Sequence, residues 1–88
     1  MDPKKVLDDA KATIGERGQD YGDEIENNFD RISALFHNAT GHGLTAAEVA
    51  IFMVCLKLAR IRQAPFKRDS YIDAVAYLAF AAELNEAE

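Results

Sequence analysis

The sequence predicts an all-α fold, a compact bundle of about four helices completed by dimerisation. Three observations predict it. Apolar residues recur at three- and four-residue spacing in successive segments, the period of one helical face. Helix-start signals stand at Asp2-Pro3 and at Thr45-x-x-Glu48, and Pro65 supplies a stop. The connections between segments are short and carry glycine or proline, as in a compact bundle. A chain of 88 residues is enough for one domain, and the whole length, 1–88, reads as a single helical unit.

The first helix opens with Asp2 as its cap and Pro3 at its first position, where the missing N–H had no partner to lose. Val6, Leu7, Ala10 and Ile14 form its apolar stripe, and Gly15 and Gly18 are expected to end it. Residues Glu16 to Gly22 then read as a shaped connection around Asp20-Tyr21. A second helix is expected from about Asp23 to Asn38, with Ile25, Phe29, Ile32, Leu35 and Phe36 on one side. The third, Ala46 to Gln63, starts from a capping box in which Thr45 and Glu48 each satisfy a backbone N–H of the other. Ala50 to Leu56 is apolar all round, which describes a helix enclosed by its neighbours. A short strand is the rival for Ile51 to Val54; the capping box, the alanines and the length favour helix. The fourth helix begins near Asp69, lined by Ile72, Val75, Ala76, Ala79 and Leu84, and the last four residues are expected to fray. The apolar supply of the third and fourth helices exceeds what one short chain can cover, so a homodimer or larger helical oligomer is expected.

Composition narrows the function. The formal charge is −5, from 15 acidic and 10 basic residues, which argues against general DNA binding. The run around Cys55 is too short to span a bilayer, and Lys4 and Lys5 precede no long apolar stretch, so neither a membrane partner nor a signal peptide is expected. The single cysteine, Cys55, reads as a buried thiol. With no disulfide to form, a reducing cytoplasm is the expected compartment. His37 and His42 do not build a zinc site, and no phosphate-loop, Ser-His-Asp or dinucleotide-binding pattern is present.

The polar residues of interest fall in three places: Asp20-Tyr21-Gly22-Asp23 with Asn28; Glu48, Lys57 and Arg60; and Asp69, Asp73 and Tyr77. The last three share one helical face, as do Lys57 and Arg60. Several of these also have ordinary roles, Asp69 and Glu48 as caps, Lys57 and Arg60 as cations reaching out of the core. Asp73 differs, because an aspartate among apolar neighbours inside a helix needs a partner: Lys57, Arg60 or a cation.

The order Glu16-Arg17-Gly18, Asp20-Tyr21-Gly22-Asp23, Asn28-Phe29-x-x-Ile32, Lys57-Leu58-Ala59-Arg60 and Asp69-x-x-x-Asp73 with Tyr77 resembles a group of small phage and prophage proteins. More distantly, the chain is similar to the all-helical nucleoside triphosphate pyrophosphohydrolases of the MazG and dimeric dUTPase type. That resemblance implies helical oligomers in which carboxylates on two packed helices hold Mg²⁺ against a triphosphate. Carried onto this chain, it makes Glu48, Asp69 and Asp73 the metal-holding carboxylates. Two spacings depart from the enzyme pattern: Ile51 and Phe52 follow Glu48 where an acidic cluster is usual, and Asp69 and Asp73 stand four apart instead of three. In the implied chemistry Asp69, Asp73, Lys57 and Arg60 act at the phosphates, the two cations offsetting charge on the leaving group. Asp20, Tyr21, Asn28 and Tyr77 are the candidate contacts to the nucleotide, and the chain is expected in the cytoplasm of a bacterial host. The competing expectation is a non-enzymatic phage accessory protein that holds a host protein on an apolar helical surface.

Overall fold

The computed structural model describes residues 2–20, 25–63 and 65–87, and within them the side chains of 16–20, 25–27 and 87 lie outside the description. The described residues form four helices and no strand: α1 (Pro3–Asp20), α2 (Ile25–Thr40), α3 (Ala46–Gln63) and α4 (Arg68–Ala87). The all-helical expectation is met. The rival strand at Ile51 to Val54 is absent, because that run lies in the middle of α3.

Each start has a side-chain cause. The Asp2 carboxylate accepts the Lys4 N–H at 3.0 Å, one of the amides a helix leaves without an internal partner. At the head of α3 the Glu48 carboxylate accepts the Thr45 N–H at 2.9 Å, and the Thr45 hydroxyl accepts the Glu48 N–H at 3.0 Å, the reciprocal box that the sequence predicts. α2 ends at Gly41, whose φ of 79° is the left-handed conformation that glycine takes without a Cβ penalty. There the Gly41 N–H reaches the His37 carbonyl at 2.8 Å.

Two boundaries differ from the sequence reading. α1 continues through Gly15 and Gly18 to Asp20, so the first part of the expected connection is helix. Glycine inside a helix costs only about 1 kcal/mol relative to alanine, and Glu16, Arg17 and Gln19 around it favour helix. The remainder of that connection, 21–24, with Tyr21 and the expected start at Asp23, lies outside the described residues. At the other end α4 stays helical through Ala87 where fraying is expected.

The main contact is between α3 and α4, with α1 against α4 and α2 against α3. The core cluster joins Phe29 of α2, Ala46, Ala47, Val49 and Ala50 of α3, and Phe80, Ala81 and Leu84 of α4, with Ile14, Leu44 and Tyr77 packed on it. Alanines on both sides let the two backbones approach closely. Phe29 fills the remaining space, 5.8 Å between ring centroids from Phe80 and 6.5 Å, edge-on, from Tyr77. The Ser33 hydroxyl donates to the Leu44 carbonyl, tying α2 to the approach of α3. Arg68 pairs with Asp9, tying the start of α4 to α1.

On α3 burial is confined to one end, and here it departs from expectation, while α1 and α4 add Ala10, Ile72 and Ala76 to the buried set. The buried residues of α3 are Ala46, Ala47, Val49 and Ala50. Beyond them Ile51, Phe52 and Leu56 are exposed, and Cys55 is an exposed thiol, not the buried hydrophobe that the sequence suggests. The segment is apolar on every side, but Ile51, Phe52, Cys55 and Leu56 are left uncovered by their neighbours among the described residues. Leu35 of the α2 stripe is exposed as well.

Phe29→Ala should therefore lower unfolding stability in guanidinium titration by about 3–5 kcal/mol, the range for removing a buried phenyl ring. Leu35→Ala should stay within about 0.5 kcal/mol of wild type, as an exposed position does. Similar losses at the two positions would contradict this placement of the core.

Candidate functional site: a basic cleft between α3 and α4

The inward stripe of α3 runs Ala46, Ala50, Lys57, Ile61, and that of α4 runs Asp69, Asp73, Ala76, Phe80, each at the spacing of one helical face. Only a short turn containing Pro65 separates the two helices, so they run antiparallel and the C-terminal part of α3 lies beside the start of α4. Lys57 consequently meets Asp73. Its ammonium is 3.0 Å from the Asp73 carboxylate, and the two side chains are 12% and 22% exposed. This satisfies the requirement read from the sequence, that Asp73 within its apolar helix must have a partner.

That pair forms one wall of a cleft of about 680 Å³ lined by Lys57, Arg60, Lys67, Arg68, Asp69, Ser70 and Asp73. Four cationic side chains thus face two carboxylates, a local excess of positive charge on a chain whose overall charge is −5. The charges are not equally committed. Lys57 is held by Asp73 and Arg68 by Asp9, whereas Arg60, Lys67 and Asp69 are exposed. The first turn of α4 opens onto the same space, and its backbone amides add a partial positive charge.

Of the residues singled out in the sequence, Lys57, Arg60, Asp69 and Asp73 are brought together. Glu48 is not. It lies nine residues before Lys57, about 13 Å along the helix axis at 1.5 Å per residue. There it lines a separate depression of about 450 Å³ with Thr45, Ile51, Leu78 and Ala82 among its walls. Tyr77 is half-buried with its ring edge-on to Phe29, and Asn28 is half-buried on α2; neither lines the cleft. Asp20 ends α1 with its side chain outside the description, as is all of Tyr21. Lys67, Arg68 and Ser70 line the cleft and escaped the sequence reading. Their signal was the basic pair directly after the Pro65 turn, which faces Lys57 and Arg60 once the two helices fold back on each other.

Among the described residues no three His, Cys, Asp or Glu side chains group closely enough to hold a metal ion. The cleft instead offers two hard-oxygen carboxylates one turn apart. This suits Mg²⁺ that arrives with a phosphate ligand, since Mg²⁺ is commonly held by one or two carboxylates together with phosphate oxygens.

Because the Lys57–Asp73 pair is mostly removed from water, Asp73→Ala should destabilise the fold by about 1–3 kcal/mol, below the 3–5 kcal/mol of a fully buried pair. In a double-mutant cycle with Lys57→Met, urea unfolding should show a coupling of at least about 0.5 kcal/mol. Strictly additive losses would show that the two side chains do not depend on each other.

Comparison with known proteins bears out the phage resemblance. A family model described as a domain of unknown function, DUF6378, matches residues 5–85, a span that includes the whole α3–α4 cleft. The Gene 55 protein of Mycobacterium phage L5 is 38% identical over 74 residues, covering 82% of this chain and 47% of the phage protein. The Gene 55 protein of Mycobacterium phage D29 is 33% identical over 75 residues, covering 84% and 49%. The chain thus spans about half the length of these curated relatives. No solved structure matches it, and no helix among the described residues is long and apolar enough to cross a membrane. With the family match extending over nearly every described residue and two phage proteins aligned along most of its length, the chain belongs to the DUF6378 family.

Proposed function

We propose that this protein binds a nucleoside triphosphate, or a closely related polyphosphate ligand, as its Mg²⁺ complex in the cleft between α3 and α4. The observation that carries this reading is the convergence of Lys57, Arg60, Lys67 and Arg68 with Asp69 and Asp73 around one cleft of about 680 Å³. That volume lies within the usual range of ligand pockets, about 300–1,000 Å³. A cation-rich cleft on an acidic chain is a local device for an anion, since the protein as a whole repels one.

The side chains divide the work. Arg60 and Lys67, exposed at the rim, are free to swing onto phosphate oxygens, Arg60 through its planar fork and Lys67 as a point charge. Lys57, fixed by Asp73, supplies a positioned positive charge beneath them. Asp69 and Asp73 would hold Mg²⁺ carried in with the phosphates, and the metal would supply Lewis-acid polarisation there. Without the metal those two carboxylates face the ligand as like charges. Binding is therefore metal-dependent.

The distant likeness to triphosphate pyrophosphohydrolases supports a hydrolytic version of the same site. The separation of Glu48 from the two aspartates supports the version in which the ligand is held without turnover. The competing role, a phage accessory protein that docks a host protein, draws its support from the exposed apolar residues of α3, Ile51, Phe52 and Leu56.

Calorimetric titration with a panel of triphosphates, in Mg²⁺ and in chelator, tests the proposal. Metal-dependent binding is expected, and Arg60→Ala and Lys67→Ala should each weaken it by about tenfold, roughly 1.4 kcal/mol. A pyrophosphate-release assay on the same samples separates hydrolysis from holding. If no triphosphate binds in either condition, nucleotide recognition is excluded and the contact-only role is the one that remains.

A further inference from the structure

The face of α3 opposite Ala46, Ala50 and Lys57 carries a second pattern, bordered on the Glu48 side by the depression it shares with Leu78 and Ala82 of α4. With Ala46, Ala50 and Lys57 pointing inward, the opposite face bears Glu48, Phe52, Cys55, Ala59 and Arg62 in succession, at spacings of four, three, four and three. That alternation is the spacing of a helix–helix seam. Its centre is apolar and open: Phe52 is 63% exposed and Leu58 53%, Ile51 and Leu56 flank them, and Cys55 is an exposed thiol. Its ends are charged with opposite sign. Glu48 and Arg62 each lie seven residues from Cys55, about 10 Å along the axis in either direction. Both are exposed, and among the described residues Arg62 makes no ion pair.

A seam with acid at one end, base at the other and apolar residues between is complementary to itself when reversed. We propose that this face seats a second copy of the same chain, α3 against α3 antiparallel, with the twofold axis beside Cys55. In that arrangement each Glu48 stands level with Arg62 of the other copy, and each Phe52 stands level with Leu58. The small side chain of Ala59 leaves room for Ile51. A parallel arrangement would set Glu48 against Glu48 and Arg62 against Arg62, so charge selects the direction as well as the partner. The closed twofold contact buries the same patch on both copies and leaves no further patch to extend. Arg62 is not among the residues that line the α3–α4 cleft, so this contact stands or falls apart from ligand binding.

Sedimentation equilibrium combined with thiol cross-linking tests it. Wild type should form a dimer. Helices packed about 8–10 Å apart bring two axial cysteines within disulfide reach, so diamide, which takes up the two electrons and two protons released, should link the copies through Cys55. Arg62→Glu places two carboxylates together at each end of the seam and should weaken the dimer by about tenfold. Adding Glu48→Gln keeps the oxygen that caps α3 while removing the repulsion, and should recover at least about threefold of that loss. A wild-type monomer throughout the micromolar range overturns the proposal. So does a dimer that diamide does not link, an Arg62→Glu protein that associates as wild type does, or a folded double variant that associates more weakly than Arg62→Glu alone.

Discussion

The antiparallel contact of α3 with α4 is the constraint on which the rest of the structure depends. Two helices approach only as closely as their facing side chains permit, and here the facing residues at one end are mostly alanines: Ala46, Ala47 and Ala50 on α3, Ala81 on α4. Those small residues leave room for the larger members of the same cluster, Phe29 of α2 and Phe80 and Leu84 of α4. At the other end the seam widens around Lys57 and Asp73. A methyl group would leave a void there, whereas a lysine and an aspartate reach across it and satisfy each other. The seam is thus tight and apolar where the core lies and open and charged where the cleft lies. One interface produces both features.

The same economy explains the surface. A core built largely from alanines is thin, in keeping with a short chain. The radius of gyration, 13.7 Å, exceeds the value of about 12 Å expected for a compact domain of this length. Apolar side chains that an inner layer cannot accommodate, Phe52, Leu58 and Leu78 among them, remain outside. The exposed apolar face of α3 is the one proposed above to seat a second copy, with its charged ends setting the direction.

The helices were legible in the sequence because local chemistry sets their ends. The Thr45–Glu48 box and Asp2 act within four residues, and each formed as read. The length of α1 was misread because Gly15 and Gly18 weaken a helix without ending it, and the flanking residues outweigh them. Burial was the less legible quantity. The run from Ile51 to Leu56 shows that its surroundings should be apolar, but periodicity does not say whether the cover comes from the same chain, so Cys55 was placed inside when it stands outside. At the site, the need of Asp73 for a partner followed from desolvation alone; it left Lys57, Arg60 or a cation open, and the packing of α3 on α4 selects Lys57. Lys67, Arg68 and Ser70 were missed because their membership depends on how the turn at Pro65 folds back. Glu48 entered the candidate set as the carboxylate that the resemblance matched, and it stands nine residues before Lys57, about 13 Å along α3.

The central claim is that a phosphate-bearing ligand enters at the charged end of the α3–α4 seam and nowhere else. Backbone amide shifts, recorded while a Mg²⁺–triphosphate complex is titrated into isotope-labelled protein, locate the contact directly. The account predicts shifts concentrated at residues 57–61 and 67–73, with Thr45 to Glu48 and the outward α3 position at Phe52 unmoved. Shifts centred on Glu48 and its depression, or a spectrum that ligand and metal together leave unchanged, would contradict it.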